Sequence, residues 1–167
     1  MPHMLVSQLR FARSEFVRGL EGVTDEEARR RLGQMNSISW MIGHMAEQEN
    51  RYWVWWGQGR ALVPELRSQV GYGRPASTPP LAEMWEAWRT ATSAADTFLD
   101  SLDEARLLTH FEQRGTVIEE SIGTLLLRNL YHYWFHCGES SAVRQLLGHS
   151  PLPEFVGNMA LASYASP

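Results

Sequence analysis

The stretch from residue 122 to residue 147 constrains the fold of this chain most strongly. Ser121 can cap the start of a helix here, Gly148 ends it, and Pro151 prevents it from restarting. The middle of the stretch is a long apolar run that also contains His132 and His136. A helix that is apolar on most sides has to be covered by other elements of the fold.

Three further segments have apolar residues at helical spacing. They are residues 3–20, residues 38–57, which Asn36 or Ser37 can cap, and residues 81–102, for which Thr78 is the predicted cap with proline in the first turn. Four such helices predict an all-α fold, a four-helix bundle in a single domain over residues 1–167. Because the first two connections between these helices are long, parallel neighbours are permitted as well as antiparallel ones.

The connections are predicted to be mostly irregular. Thr24 and Glu27 form a capping-box pattern that predicts a short charged helix in the first connection. Residues 57–80 are rich in glycine and proline and are predicted as an irregular crossover. Residues 103–114 are predicted as a turn region, followed by a short extended piece at residues 117–118.

Composition excludes several classes of function. The net charge is −4 and there is no basic run, so binding to nucleic acid is not expected. No stretch of about 18 uninterrupted apolar residues occurs, so no membrane span is expected. The single Cys137 excludes an internal disulfide framework and fits a reducing compartment. Without a recognisable secretory leader, a cytoplasmic location is expected.

The candidate site consists of histidines on two of the predicted helices. His132 and His136 are four residues apart and leave their helix on the same face, where two imidazoles can hold one divalent metal ion. His44 lies in the apolar half of the second helix and is the third candidate ligand. The alternative is that all three are packing residues that hydrogen-bond to neighbours, which is the simplest interpretation of each one alone. His3, His110 and His149 are the remaining histidines and are predicted to be solvated.

Three neutral imidazoles would leave coordination positions open, as catalysis requires. Glu139 follows His136 by three residues and therefore lies on nearly the same face. It is the candidate catalytic residue, as a general base or as a carboxylate behind the ligands. Glu47, Gln48 or Glu139 could also supply a fourth ligand. Cys137 is about 100° round the helix from His136 and is predicted to be a packed side chain.

Two motifs resemble those of the DinB-like proteins. Residues 37–46 read Ser-Ile-Ser-Trp-Met-Ile-Gly-His-Met-Ala, and residues 129–139 read Asn-Leu-Tyr-His-Tyr-Trp-Phe-His-Cys-Gly-Glu. The resemblance implies a four-helix bundle in up-down-down-up order. It also implies a divalent metal, often zinc or nickel, on residues that map to His44, His132 and His136.

The same resemblance implies a class of activity. The family includes transferases that use a low-molecular-weight thiol, and its members are frequently homodimers. We therefore expect a homodimeric, metal-dependent S-transferase or hydrolase acting on a small molecule. The alternative is a non-catalytic metal- or ligand-binding bundle whose aromatic surface forms a homodimer. Cys137-Gly138-Glu139 stands where the family often has Arg-Gly-Gln.

Overall fold

The computed structural model describes residues 2–164, apart from the side chain of residue 161. The helices are α1 (Met4–Gly19), α2 (Asp25–Arg29), α3 (Ile38–Glu49), α4 (Leu66–Val70), α5 (Leu81–Leu99), α6 (Glu104–Leu107) and α7 (Ile122–Leu146). A π-helical segment, Asn50–Trp56, continues α3, and a 3₁₀ turn covers Met159–Leu161. Two short strands, β1 (His110–Gln113) and β2 (Thr116–Ser121), form an antiparallel hairpin. The fold is therefore all-α apart from this hairpin, as the sequence predicts.

The four long helices α1, α3, α5 and α7 share one hydrophobic core. α3 packs against α5 and α7, and α1 packs against α7. Large side chains from all of these elements are fully buried or nearly so, including Phe16, Met41, Phe98 and Leu126. Burying each such side chain contributes roughly 1.5–3 kcal/mol, so the shared core holds the helices that carry the histidines. In the part of the chain that the structure describes, no helix is long and apolar enough to cross a membrane.

Most of the predicted helix starts are confirmed. Ser37 Oγ accepts a hydrogen bond from the amide of Trp40, and Ser121 Oγ accepts one from the amide of Thr124. Both sides of the Thr24 capping box are present. These caps satisfy amides that the first helical turn leaves without partners.

The predicted cap of α5 is wrong. Thr78 lies too far before the first helical residue, and Pro80 occupies the capping position without a side-chain hydrogen bond. The amide of Leu81 instead donates to Asp25 Oδ1 of α2 at 2.8 Å. Asp25, which is distant in sequence, thus accepts the hydrogen bond at the start of α5 that Thr78 was expected to accept.

Two irregular regions contain more structure than the sequence indicates. α4 lies within the predicted crossover 57–80, and the hairpin lies where a turn and a short extended piece were predicted. β1 is four residues long, which is too short to display alternation, and Phe111 is its single buried side chain. Phe111 packs against Phe98 and Trp53, so tertiary packing rather than local pattern holds the strand.

Two of the histidines that were predicted to be solvated are partly buried. His3 caps α1, because its Nδ1 accepts a hydrogen bond from the amide of Leu5. His149 accepts a hydrogen bond from Arg144 at Nδ1 and donates one from Nε2 to Glu27. His110 is exposed, as predicted.

Candidate functional site

The fold brings His44 of α3 together with His132 and His136 of α7. One ring nitrogen of each histidine lies within 4.8 Å of those of the other two. His44 and His136 are buried, and His132 is partly buried. The Nε2 atoms of His132 and His136 are only 3.0 Å apart. The juxtaposition that the sequence predicts is therefore present.

In each histidine, Nδ1 is the outer nitrogen, the one that is hydrogen-bonded outside the cluster. The outer nitrogen of His44 is fixed by the backbone. Its Nδ1 donates a hydrogen bond to the carbonyl oxygen of Val70, the last residue of α4, at 2.7 Å. A carbonyl oxygen only accepts, so the proton of this ring is on Nδ1 and Nε2 carries a lone pair. Trp40 stacks on the imidazole with ring centroids 4.4 Å apart, which holds the ring plane.

The outer nitrogen of His136 is fixed by a carboxylate. Its Nδ1 donates to Glu139 Oε2 at 2.8 Å, and Glu139 Oε1 accepts from Asn36 Nδ2 at 3.0 Å. Burial by itself would raise the pKa of Glu139, but hydrogen bonds from His136 and Asn36 bring that pKa below its ordinary value. The carboxylate is thus ionised and accepts the Nδ1 proton, so that Nε2 carries the lone pair in the neutral form of His136.

A chain of three residues fixes the outer nitrogen of His132. The indole N–H of Trp53 can only donate, and it donates to Asn129 Oδ1 at 2.8 Å. Asn129 Nδ2 must then donate to Gln48 Oε1, which it does at 2.8 Å. Gln48 Oε1 also accepts from His132 Nδ1 at 3.0 Å. Because the indole can only donate, it fixes the donor and the acceptor of each hydrogen bond in this series. The proton of His132 is therefore on Nδ1, and Nε2 carries a lone pair.

As neutral imidazoles, the three rings direct three lone pairs into one small volume. Burial, and then the proximity of His136, lower the pKa of His44 to about 4 and that of His132 to about 3. His44 and His132 are therefore neutral imidazoles at neutral pH, each with its proton on Nδ1 and a lone pair on Nε2. Nε2 of His132 and Nε2 of His136 are 3.0 Å apart, so the two nitrogens must share either a proton or a cation. The donor set fits a divalent metal ion, which histidine binds as the neutral imidazole.

The predicted carboxylate and amide candidates lie outside the cluster. Glu139 is behind His136, Gln48 is behind His132, and Glu47 Oε1 accepts from Arg51 Nε at 3.0 Å. Within residues 2–164, the histidines are the only side chains of metal-ligand type in this cluster. Three protein donors without a fourth leave coordination positions for exogenous ligands.

Cys137 follows His136 in sequence, but its buried thiol is not part of the histidine cluster. Burial raises the pKa of its thiol to about 12, so the thiol is protonated and unreactive at neutral pH. The residue packs in the hydrophobic core, as the sequence predicts.

A cleft of about 890 Å³ opens beside the histidines. Its walls come from α3, the π-helical segment, the hairpin and α7, and they include His44 and His132 themselves. The other main lining residues are Arg51, Tyr52, Trp56, Tyr72, Ile118, Glu120, Leu125, Arg128, Tyr131 and Phe135. The volume is within the range typical of small-molecule sites. A molecule in the cleft would reach the histidine cluster directly.

Several residues that orient the histidines were not predicted from the sequence. Val70 acts through its carbonyl oxygen, which no side-chain pattern can indicate, and it lies in a segment predicted to be irregular. Asn129 and Trp53 are both buried and carry a polar group, which indicates that each needs a hydrogen-bond partner. That they bond to one another depends on the packing between the helices that carry them.

Together these observations describe a helical protein with a three-histidine cluster of metal-ligand type at the base of an open cleft. Residues 8–140 match the model of the DinB superfamily. The chain belongs to the DinB superfamily.

Among solved structures, the chain is similar to a crystal structure described as the conserved protein of locus from Enterococcus faecalis. The TM-score is 0.66 with 14% sequence identity, over 87% of this chain and 96% of that chain. At this identity the similarity supports the fold alone. No curated protein sequence matches the chain.

Proposed function

We propose that this chain binds one divalent metal ion, zinc or nickel, through Nε2 of His44, His132 and His136, and that it is a metal-dependent enzyme. The observation that carries the proposal is the convergence of three lone pairs whose direction is set by Val70, Gln48 and Glu139. Outer hydrogen bonds of this kind accompany metal-bound histidines in most metal sites. Thiol-dependent S-transfer or hydrolysis, with a low-molecular-weight thiol or water as the nucleophile, is the reaction class we propose.

A bound divalent ion would supply a Lewis acid that lowers the pKa of a coordinated water or thiol toward neutrality. The chain's own residues prepare for this chemistry. Glu139 holds the Nδ1 proton of His136, and the aromatic wall of the cleft excludes water from an apolar substrate. A direct role of Glu139 as general base remains a prediction from the sequence, as do the up-down-down-up helix order and the cytoplasmic location.

A second candidate function is a non-catalytic, homodimeric binding module. Tyr131 and Phe135 are four residues apart on α7, where they line the cleft, and are 62% and 65% exposed. Large exposed aromatic side chains on one helix face favour association with a partner, here a second copy of the chain. Sedimentation equilibrium at micromolar concentration tests this proposal, and a monomer would contradict it.

Elemental analysis of the purified, untagged protein tests the metal proposal. We expect near-stoichiometric zinc or nickel in the wild-type protein and none in His132→Ala/His136→Ala. A matched control, His110→Ala, removes an exposed histidine outside the cluster and should retain the metal. Absence of metal from the wild-type protein, even after incubation with both ions, would overturn the proposal. Retained metal justifies a screen for thiol transfer and hydrolysis, and full activity of His136→Ala in it would favour the non-catalytic alternative.

Replacing Gln48 by leucine is expected to lower zinc affinity by about 10- to 100-fold. The substitution leaves all three ligands in place but removes the acceptor that holds the Nδ1 proton of His132. Gln48→Glu retains an oxygen acceptor for both His132 and Asn129, so it should bind zinc with nearly wild-type affinity. Competition titration against a chromophoric chelator measures all three proteins. Equal affinities for the leucine and glutamate variants would show that the outer hydrogen bond does not matter.

A further inference from the structure

We propose that the cleft selects small molecules that carry a carboxylate on an apolar body, and that Arg51 binds the carboxylate. The inference deepens the proposed function, because it names a substrate class for the same cleft. It does not require the metal for its test, since Arg51 belongs to the wall of the cleft and not to the histidine cluster.

Arg51 is held rigidly at the edge of the cleft. Its guanidinium carbon lies 4.8 Å from the ring centroid of Tyr52 and 5.6 Å from that of Trp56. Its Nε and Nη2 donate to the two carboxylate oxygens of Glu47 at 3.0 and 3.4 Å. The side chain is only 20% exposed. Among the residues that the structure describes, none accepts a hydrogen bond from Nη1, which leaves that nitrogen available to a ligand.

The charges around Arg51 do not balance. Glu47 is buried, and its Oε1 also accepts a hydrogen bond from Arg67 Nη1 at 3.1 Å. Two guanidinium groups thus share one carboxylate, and one positive charge is left over. A carboxylate ligand would neutralise that charge with short, charge-assisted hydrogen bonds, for which the planar guanidinium is well suited.

The second arginine of the cleft lacks this excess charge. Arg128 donates from both Nε and Nη2 to Glu120, so this pair is balanced one to one. Arg128 is also 55% exposed, against 20% for Arg51. A carboxylate at Arg128 would have to compete with Glu120 and with water. The comparison singles out Arg51.

The rest of the cleft suits an apolar or aromatic body. Tyr52 and Trp56 stack in front of Arg51 with ring centroids 5.1 Å apart, and Phe135 forms part of the wall beside His132. Leu125 and Ile118 contribute aliphatic surface. A flat apolar group packed here is removed from water while its carboxylate reaches Arg51.

Isothermal titration calorimetry with naphthylacetate and the uncharged naphthylacetamide tests the inference. The two probes have the same shape and differ only in charge. The titrations use the full-length protein, once after removal of metal by a chelator and once after loading with zinc. We expect the metal-free protein to bind the carboxylate at least about tenfold more tightly than the amide. Arg51→Gln should abolish this preference, whereas Arg128→Gln should retain it.

Arg67→Gln provides a variant that does not alter the cleft. Arg67 is 59% exposed and is not one of the cleft residues, so the substitution should not affect folding. Without Arg67, the Glu47 carboxylate pairs with Arg51 alone and neutralises its charge. The preference for the carboxylate probe over the amide probe should therefore fall several-fold. If Arg51→Gln does not fold, as judged by circular dichroism, this variant decides the question.

Three results would overturn the inference. They are equal binding of the two probes, no binding of either at millimolar concentration, and a preference that survives Arg51→Gln and Arg67→Gln in the metal-free protein. A preference that occurs only with zinc also counts against Arg51, since the ion would then be holding the carboxylate. Failure of the protein to bind zinc would overturn the proposed function and leave the metal-free titrations as a valid test of Arg51.

Discussion

Replacing Arg13 by methionine is expected to lower the free energy of unfolding by about 3–5 kcal/mol. Arg13 Nε and Nη2 donate to the two carboxylate oxygens of Glu49 at 2.7 and 2.6 Å, and Nη1 donates to Asp96 Oδ1 at 2.7 Å. The Glu49 side chain is completely buried. Without Arg13 its negative charge stays in the core, where the hydroxyl of Tyr133, at 3.0 Å, is the one remaining donor among residues 2–164. Urea unfolding followed by circular dichroism measures the change.

The control for this prediction is Arg89→Met. Arg89 pairs with Glu86 three residues away on α5, and both side chains are largely exposed. Exposed pairs of this kind contribute at most about 1 kcal/mol, so the variant should unfold close to wild type. If Arg13→Met is no less stable than Arg89→Met, the buried pair is not a major determinant of stability.

A double variant separates the loss of the pair from the burial of an unpaired charge. Arg13→Met/Glu49→Leu removes both charges, and Asp96 retains Arg10 as a partner at 3.3 Å. The double variant should therefore be more stable than Arg13→Met alone, because no carboxylate remains unpaired in the core. Comparison of the double variant with the wild type shows whether the ion pair between α1 and α3 makes a net contribution to the free energy of unfolding.

Zinc is expected to raise the free energy of unfolding of the wild-type protein by about 4 kcal/mol at about 1,000 times its dissociation constant. The reason is that the unfolded chain does not hold His44, which is on α3, near the α7 pair His132 and His136. His44→Ala should lose most of this stabilisation. Paired urea titrations with zinc and with a chelator measure it for each protein.

His110→Ala is the matched control for the zinc experiment. His110 is on β1, where its Nδ1 donates to the carbonyl oxygen of Ile118, and it is not part of the cluster. Its zinc-dependent stabilisation should equal that of the wild type. Identical unfolding curves of the wild-type protein with and without zinc would contradict the assignment of the three histidines as ligands.

Local patterns in the sequence were sufficient to predict the four long helices and the residues of the cluster. The stretch predicted as 122–147 is observed as Ile122–Leu146, and the stretch predicted as 3–20 is observed as Met4–Gly19. Helical periodicity, capping serines and terminating glycines act within a few residues of one another, so the sequence alone contains them. The four-residue spacing of His132 and His136 is local in the same way.

Only the tertiary structure decided which atoms surround those histidines. The acceptor for His44 is the backbone carbonyl of Val70, 26 residues away, and the acceptor for His132 is Gln48, 84 residues away. The shared Glu47 that leaves Arg51 with excess charge also depends on Arg67, which lies in a segment without a clear pattern. Contacts of this kind arise from how helices pack, and packing depends on side chains that are distant in sequence. The sequence by itself therefore determined the four long helices and the positions of the histidines, whereas the packing of α3, α4 and α7 determined the hydrogen bonds of the histidines and the cleft beside them.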